Sequence, residues 1–222
     1  MLHELAQEKL ARYGGLQNVR PLDAAYIAKW RGRLPDSFVN FWEQEGLGSL
    51  ADGSLWFCEP EEYSEVLAVL FGADKDFSHK DCHVVAYSAF SQLFVWSERH
   101  RAITIDLQRL LVICDGITDL NSIVAPERNV WSMIVSMCPD RLFDTSDAKG
   151  NYLYKRAKKK LGPLAPGEVY GFFPALTLGG AAVLDNLQKV SAPEHFSILA
   201  QLDTPVLWDF KPWPPVAVRP IG

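Results

Sequence analysis

The sequence predicts an α+β protein, an antiparallel sheet flanked by helices. Three observations lead to that class. Apolar residues recur at helical spacing through the first third of the chain, with Phe38, Phe41 and Trp42 at i, i+3 and i+4. The period then changes to that of strands in "CHVVAYSAF", "QLFVWSERH" and "AITIDLQRLLVICDG". The connections between those runs are too short for helical crossovers, so neighbouring strands should be antiparallel. With 48% hydrophobic residues and seven Trp among 222, the chain has ample material for a core, and disorder is excluded.

The elements follow in order. "HELAQEKLARYG" carries Leu5, Lys9 and Arg12 in an amphipathic pattern stopped by Gly14 and Gly15. "PLDAAYIAKWRGRLPDSFVNFWEQEGLGSLADG" reads as two short helices. Tyr26, Ile27 and Trp30 share a face of the first. Pro35-Asp36-Ser37 opens the second, and Gly46 and Gly48 end it. "GSLWFCEP" is a short strand stopped by Pro60. "EPEEYSEVLAVLFG" is helical, with Pro60 in the tolerated first turn and Glu61 and Glu62 complementing the helix dipole. Its inward stripe is Tyr63, Val66, Leu67 and Leu70. After the sheet, "VWSMIVSMC" returns to helical spacing through Trp131, Ile134, Val135 and Cys138. "FDTSDAKGNYLYKRAKKKLG" is a loop and then a helix, with Tyr154, Ala157 and Leu161 facing inward. The last part holds a strand near "EVYGFFPALTLGG", a helix or turn near "VLDNLQKVSAPEHFSILAQL", and a Pro-rich tail, "WDFKPWPPVAVRPIG". Polar loops at Asp115-Gly116 and "DTSDAKGN" suggest a division into residues 1–115 and a smaller mixed α/β part, residues 116–222, that includes the tail.

The net charge is −5, so bulk electrostatics do not favour nucleic acid. Acidity concentrates between Asp36 and Asp81, where eleven acids face only Lys75 and Lys80, a balance of −9. Such a run is a solvated face or a partner-binding surface. The basic run Lys155, Arg156, Lys158, Lys159 and Lys160 falls late in a helix, where cations suit the dipole. It lacks the aromatic interleaving of a nucleic-acid site. The N-terminus has no apolar h-region, and no run reaches membrane-spanning length. Four widely spaced Cys without a CxxC fit reduced thiols and a cytoplasmic location.

Motifs for chemistry are missing. "TLGGAAV" has no Lys beside its glycines, and "GLGSLADG" follows a helix, so neither is a nucleotide loop. His79, Cys82 and His83, with Cys58 conceivably alongside, form a single cluster without the second ligand pair a zinc site needs. There is no G-x-S-x-G. His195 begins a helical apolar stripe and has no nameable catalytic partner. The Gly- and Pro-rich stretch "GPLAPGEVYGFFPALTLGG" holds one acid, Glu168, and no His, Cys, Lys or Arg. Its Gly171, Gly179 and Gly180 read as close-packing or turn positions and Pro174 as a strand bend or edge. No metal, cofactor or catalytic residue is expected.

Two long stretches resemble known families. "LPDSFVNFWEQEGLGSLADGSLWFCEPEEYSEVL" and "CHVVAYSAFSQLFVWSERHRAITID" resemble the bacterial GAD-like domain. "KKLGPLAPGEVYGFFPALTLGGAAVLDNLQKVSAPEHFSILAQL" resembles the C-terminal domain of immunity proteins that guard against type VI secretion DNase effectors. The tail lies outside both. One departure falls at Ala89-Phe90-Ser91, where the family usually reads Ala-Phe-Gly. The resemblance implies a cytoplasmic immunity protein that binds a cognate toxin, typically a nuclease, and blocks it without a reaction of its own. It implies no direct contact with nucleic acid or membrane. The alternative is an adaptor or regulatory scaffold similar to the SMI1/KNR4 superfamily. Family motifs are mostly core and turn residues, so the binding site must come from surface charge. A nuclease carries basic residues to hold phosphates, which makes Glu59, Glu61, Glu62, Glu65, Asp74 and Asp76 the expected toxin contacts. Trp56 would be their aromatic anchor if it is not core.

Overall fold

A computed structural model describes residues 3–118, 124–135 and 144–222. The strands are β1 (Gln17–Arg20), β2 (Leu47–Leu50), β3 (Leu55–Phe57), β4 (Cys82–Ser88), β5 (Gln92–Ser97), β6 (Arg101–Asp106), β7 (Leu111–Ile113), β8 (Glu168–Phe172), β9 (Leu187–Ser191), β10 (Val206–Asp209) and β11 (Val216–Pro220). The helices are α1 (Glu4–Tyr13), α2 (Ala24–Ala28), α3 (Asp36–Glu45), α4 (Ser64–Phe71), α5 (Pro126–Val135), α6 (Tyr154–Leu161) and α7 (Ala192–Ala200). Among the described residues, nine strands form one sheet in the order β1-β2-β3-β4-β5-β6-β7-β10-β11, and β8 and β9 form a separate hairpin. Every pairing is antiparallel except β7 with β10.

The sheet is covered on both faces, and its strands show why. In β3, Leu55 and Phe57 enter the core under α1, α2, α3 and α5, while Trp56 enters the core shared with α4, α6, α7 and the β8–β9 hairpin. In β5, Phe94 and Trp96 take the first side and Leu93 and Val95 the second. A bulge in β4 places Val85 and Ala86 on the same side, with Val84 paired to Val95 and Ala86 to Phe94. All seven β4 residues are therefore buried, which explains its nearly continuous apolar run. Six aromatic rings from α3, β3, α5 and the turn after α2 (Trp30, Phe38, Phe41, Trp42, Phe57 and Trp131) form a connected cluster with centroids 4.8–6.3 Å apart.

Several elements differ from the sequence reading. The inward residues of α1 are Ala6 and Leu10, with Leu5 at the margin. Strands β1, β2 and β9 were not anticipated. The Pro-rich tail is no tail: β10 and β11 extend the sheet, and Leu207 and Ile221 join its core. The sheet thus takes strands from either side of residue 115. Cys138 lies outside the described residues. Ser91, the departure from the family's glycine, has φ 62 in the turn from β4 to β5, a left-handed conformation that glycine adopts freely.

The Gly-rich stretch is a packing device. A Cβ on Gly171 would stand 2.7 Å from the His195 ring. His195 is buried in α7, its Nε2 has no partner among the described residues, and burial pushes its pKa down to about 4. Gly171→Ala is therefore expected to cost about 1–3 kcal/mol of stability. Adding His195→Ala should cost less than its effect in the unaltered protein, because both changes act on one contact. Strict additivity in a double-mutant melting cycle would contradict this packing.

Candidate partner-binding site

The seven residues expected to meet a partner have four different fates. Trp56 is core: it is 2% exposed, and its Nε1 donates to the Gly53 carbonyl at 3.0 Å. The condition for an anchor is not met, because β3 is covered on both faces. Asp74 is turned inward, and Asp76, half exposed, shares its arginine. The Asp74 side chain is fully buried and accepts two hydrogen bonds from the Arg219 guanidinium, at 2.6 and 2.8 Å. It also accepts from the backbone N–H groups of Asp76, Phe77 and Gly222. Asp76 accepts from Arg219 Nη2 at 2.7 Å. These acids hold the end of β11 onto the loop after α4.

Glu59 and Glu61 reach the surface but have cations of their own. Arg20 on β1 donates to Glu59 at 2.5 Å. Lys29 forms an ion pair with Glu61, and the Tyr26 hydroxyl donates to it at 2.6 Å. Partial burial pushes the Glu61 carboxyl up, but Lys29 and Tyr26 outweigh it and hold the pKa below the usual range. Glu62 and Glu65 are exposed, and neither has an ion pair among the described residues. The Glu62 carboxyl is pushed above its ordinary value by burial first and then by Glu59 and Glu61, with Arg20 opposing.

The acidic run is thus largely neutralised from outside itself. Glu43, Asp52, Glu59, Glu61, Asp74 and Asp76 pair with Arg31, Lys158, Arg20, Lys29 and Arg219. Of the five acids of the run without an ion pair among the described residues (Asp36, Glu45, Glu62, Glu65 and Asp81), Glu62 and Glu65 share one short segment. Pro60–Tyr63 is a 3-10 turn that leads directly into α4, so Glu61, Glu62 and Glu65 stand together at a helix start. Val69, 45% exposed, lies one turn beyond Glu65. Beside them, Asn18, Arg20, Glu59, Glu62, Tyr87 and Gly167 line a cleft of about 60 Å³, room for about two waters. Sequence reasoning missed Arg20, Lys29 and Tyr26, which tune this segment. Nothing local reveals them, since Arg20 meets Glu59 from 39 residues away.

The remaining candidates for chemistry are accounted for by structure. His83 Nε2 lies 2.7 Å from Glu98 Oε1, and Cys82 Sγ donates to Asp81. Cys58 Sγ donates to the Val84 carbonyl, and burial, then Glu62 and Glu59, push its thiol pKa up. Among the described residues no group of three or more His, Cys, Asp or Glu is arranged to hold a metal ion. In the basic helix α6, Arg156, Lys158 and Lys160 pair with Asp147, Asp52 and Asp185. No helix among the described residues is long and apolar enough to cross a membrane.

Comparison with known proteins shows which family the chain resembles. Residues 4–109 match the GAD-like domain, and residues 136–203 match the C-terminal domain of the type VI secretion immunity protein Tdi1. The crystal structure of Atu4351 from Agrobacterium tumefaciens superimposes with a TM-score of 0.89 at 30% identity, covering 100% of this chain and 98% of that one. The chain belongs to the GAD-like, Tdi1-type family of type VI secretion immunity proteins. No curated protein matches. In this immunity protein the GAD-like match supplies the Glu59–Glu65 segment, and the Tdi1-type match supplies Gly167 across the cleft.

Proposed function

We propose that this immunity protein works in the cytoplasm, without catalysis, by binding a basic nuclease toxin, most simply a DNase, through the acidic face at Glu59, Glu61, Glu62 and Glu65. The observation that carries this reading is Glu62. It is exposed and has no ion pair among the described residues, and its repulsion from Glu59 and Glu61 is only partly offset by Arg20. A cation supplied by a partner would relieve that repulsion. A nuclease must present Lys or Arg to phosphates, and an acidic surface steers such a protein into contact.

The reading has a distinctive consequence. A carboxylate whose folded pKa lies above its unfolded value weakens the fold while it is ionised, and this penalty is present at neutral pH. Glu62→Gln should therefore keep or slightly raise the melting temperature while weakening toxin binding. Affinity of the unaltered protein should also fall as pH drops through the Glu62 pKa, because protonation removes the charge the toxin meets. Calorimetric titration of both proteins against the toxin at several pH values checks this. Equal affinity for the two, with no pH trend, would remove the acidic face from the interface.

A further inference from the structure

Arg20 stands where it competes with a basic partner. It lies on β1, an edge strand of the sheet, and all four residues of β1 are exposed. Two residue pairs join β1 to β2, Gln17 with Ser49 and Arg20 with Leu47, and the register shifts between them. The Arg20 side chain is 57% exposed, and its guanidinium makes one hydrogen bond among the described residues, to Glu59 Oε1. Arg20, Glu59 and Glu62 also line the same small cleft. One exposed cation therefore serves two carboxylates: it pairs with Glu59 and opposes the repulsion around Glu62.

The two members of this pair are held differently. The Glu59 side chain is only 24% exposed, and its backbone carbonyl accepts from Glu62 N at 3.2 Å where the 3-10 turn opens. The Arg20 guanidinium has no second acceptor to hold it. Such an exposed pair is weak, and a released guanidinium returns to water. The neighbouring pair is firmer. Glu61 accepts from the Tyr26 hydroxyl as well as pairing with Lys29, and the Lys29 ammonium stands 4.0 Å from the centre of the Tyr26 ring. Of the two cations on the acidic face, Arg20 is the one that an incoming cation displaces more easily.

The cleft defines what replaces it. The buried residues Trp56, Phe57 and Cys58 form its floor, and Glu59 and Glu62 supply its negative charge. It has room for about two waters, enough for a side-chain head group and too little for a backbone segment. We propose, on the reading that the acidic face binds a basic toxin, that Arg20 is a placeholder: a lysine or arginine of the toxin takes over Glu59 and Glu62 in this cleft, and Arg20 swings out to solvent. Arg20 is then a brake on affinity and not a contact.

Dissociation kinetics against the purified toxic product of a gene adjacent to this one test the exchange. Arg20→Gln should slow dissociation about two- to fivefold, the effect of one exposed pair, with a melting temperature close to that of the unaltered protein. Arg31→Gln removes the same charge from the Arg31–Glu43 pair, which does not line the cleft. It should change the association rate alone, as a long-range field does. Glu59→Gln should speed dissociation, and most of the slowing by Arg20→Gln should vanish in the double variant, because the contested acceptor is gone. Dissociation of Arg20→Gln at the unaltered rate or faster would overturn the exchange. So would equal slowing by Arg31→Gln, or slowing that survives intact in the double variant. The acidic-face reading fails separately, when Glu62→Lys with Glu65→Lys leaves binding intact. Loss of binding in that variant, beside normal dissociation of Arg20→Gln, keeps the face and removes the exchange.

Discussion

Asp74→Ala is expected to remove about 3–5 kcal/mol of stability, a large share of the roughly 5–15 kcal/mol typical of a folded protein. The Asp74 side chain is fully buried and the Arg219 side chain is 18% exposed. Removing the carboxylate takes two hydrogen bonds from Arg219, which keeps Asp76 and the Pro220 carbonyl, and leaves the N–H groups of Asp76, Phe77 and Gly222 without their acceptor. It also releases the end of β11, and with it the Ile221 side chain from the core. Asp76→Ala is the control: its side chain is 38% exposed, so losing that pair should cost about 1 kcal/mol or less. Chemical denaturation of the two variants should show this difference, and equal effects would contradict the inward role of Asp74. The same group shapes the acid limb of stability. Burial alone would raise its carboxyl, but Arg219 and the backbone donors hold it far below the usual range. Its contribution is present above the unfolded pKa of about 4 and drains away only as pH falls below that value. His195 acts earlier. Its pKa is depressed to about 4, so stability declines as pH falls from about 6.5 toward that value.

The double substitution Glu62→Lys with Glu65→Lys should slow association with the toxin about ten- to a hundredfold at low salt, with little change in melting temperature. Both carboxylates lack an ion pair among the described residues, so reversal breaks nothing internal. The difference between variant and unaltered protein should shrink as salt rises, because exposed charges are screened beyond about 10 Å at 0.1 M. Reversing Asp74 and Asp76 would not be a fair test, since those acids hold Arg219. Stopped-flow association rates at two ionic strengths decide it. Unchanged rates at low salt would mean that the toxin approaches from another side.

What the sequence revealed and what it hid follow from the range of the interactions involved. Helix α3 was legible because Phe38, Phe41 and Trp42 repeat at helical spacing, and β4 to β6 because β-branched and aromatic residues fill them. Strand β1 was not, since all four of its residues are exposed and no alternation marks it. Strand β10 exists because β7, more than ninety residues earlier, offers it a parallel edge. The prolines that follow it suggested a tail and said nothing of that distant pairing. The acidic run misled for a similar reason. Counting charges along the chain locates carboxylates but not the Arg20, Lys29, Lys158 and Arg219 that fold back onto them. Glu62 and Glu65 stand out as neighbouring unpaired acids of that run only once those pairings are known. Trp56 was an anchor only if it lay outside the core, and two covered faces bury every β3 side chain.

The most direct test of the proposed toxin neutralisation is co-expression with a toxic product of a gene adjacent to this one, followed by purification of the pair. The account predicts that cells survive the toxin when this protein is present and that the two copurify. It also predicts that Glu62→Lys with Glu65→Lys loses both effects while remaining folded. Cells that die despite abundant folded protein, with no complex recovered, would contradict it.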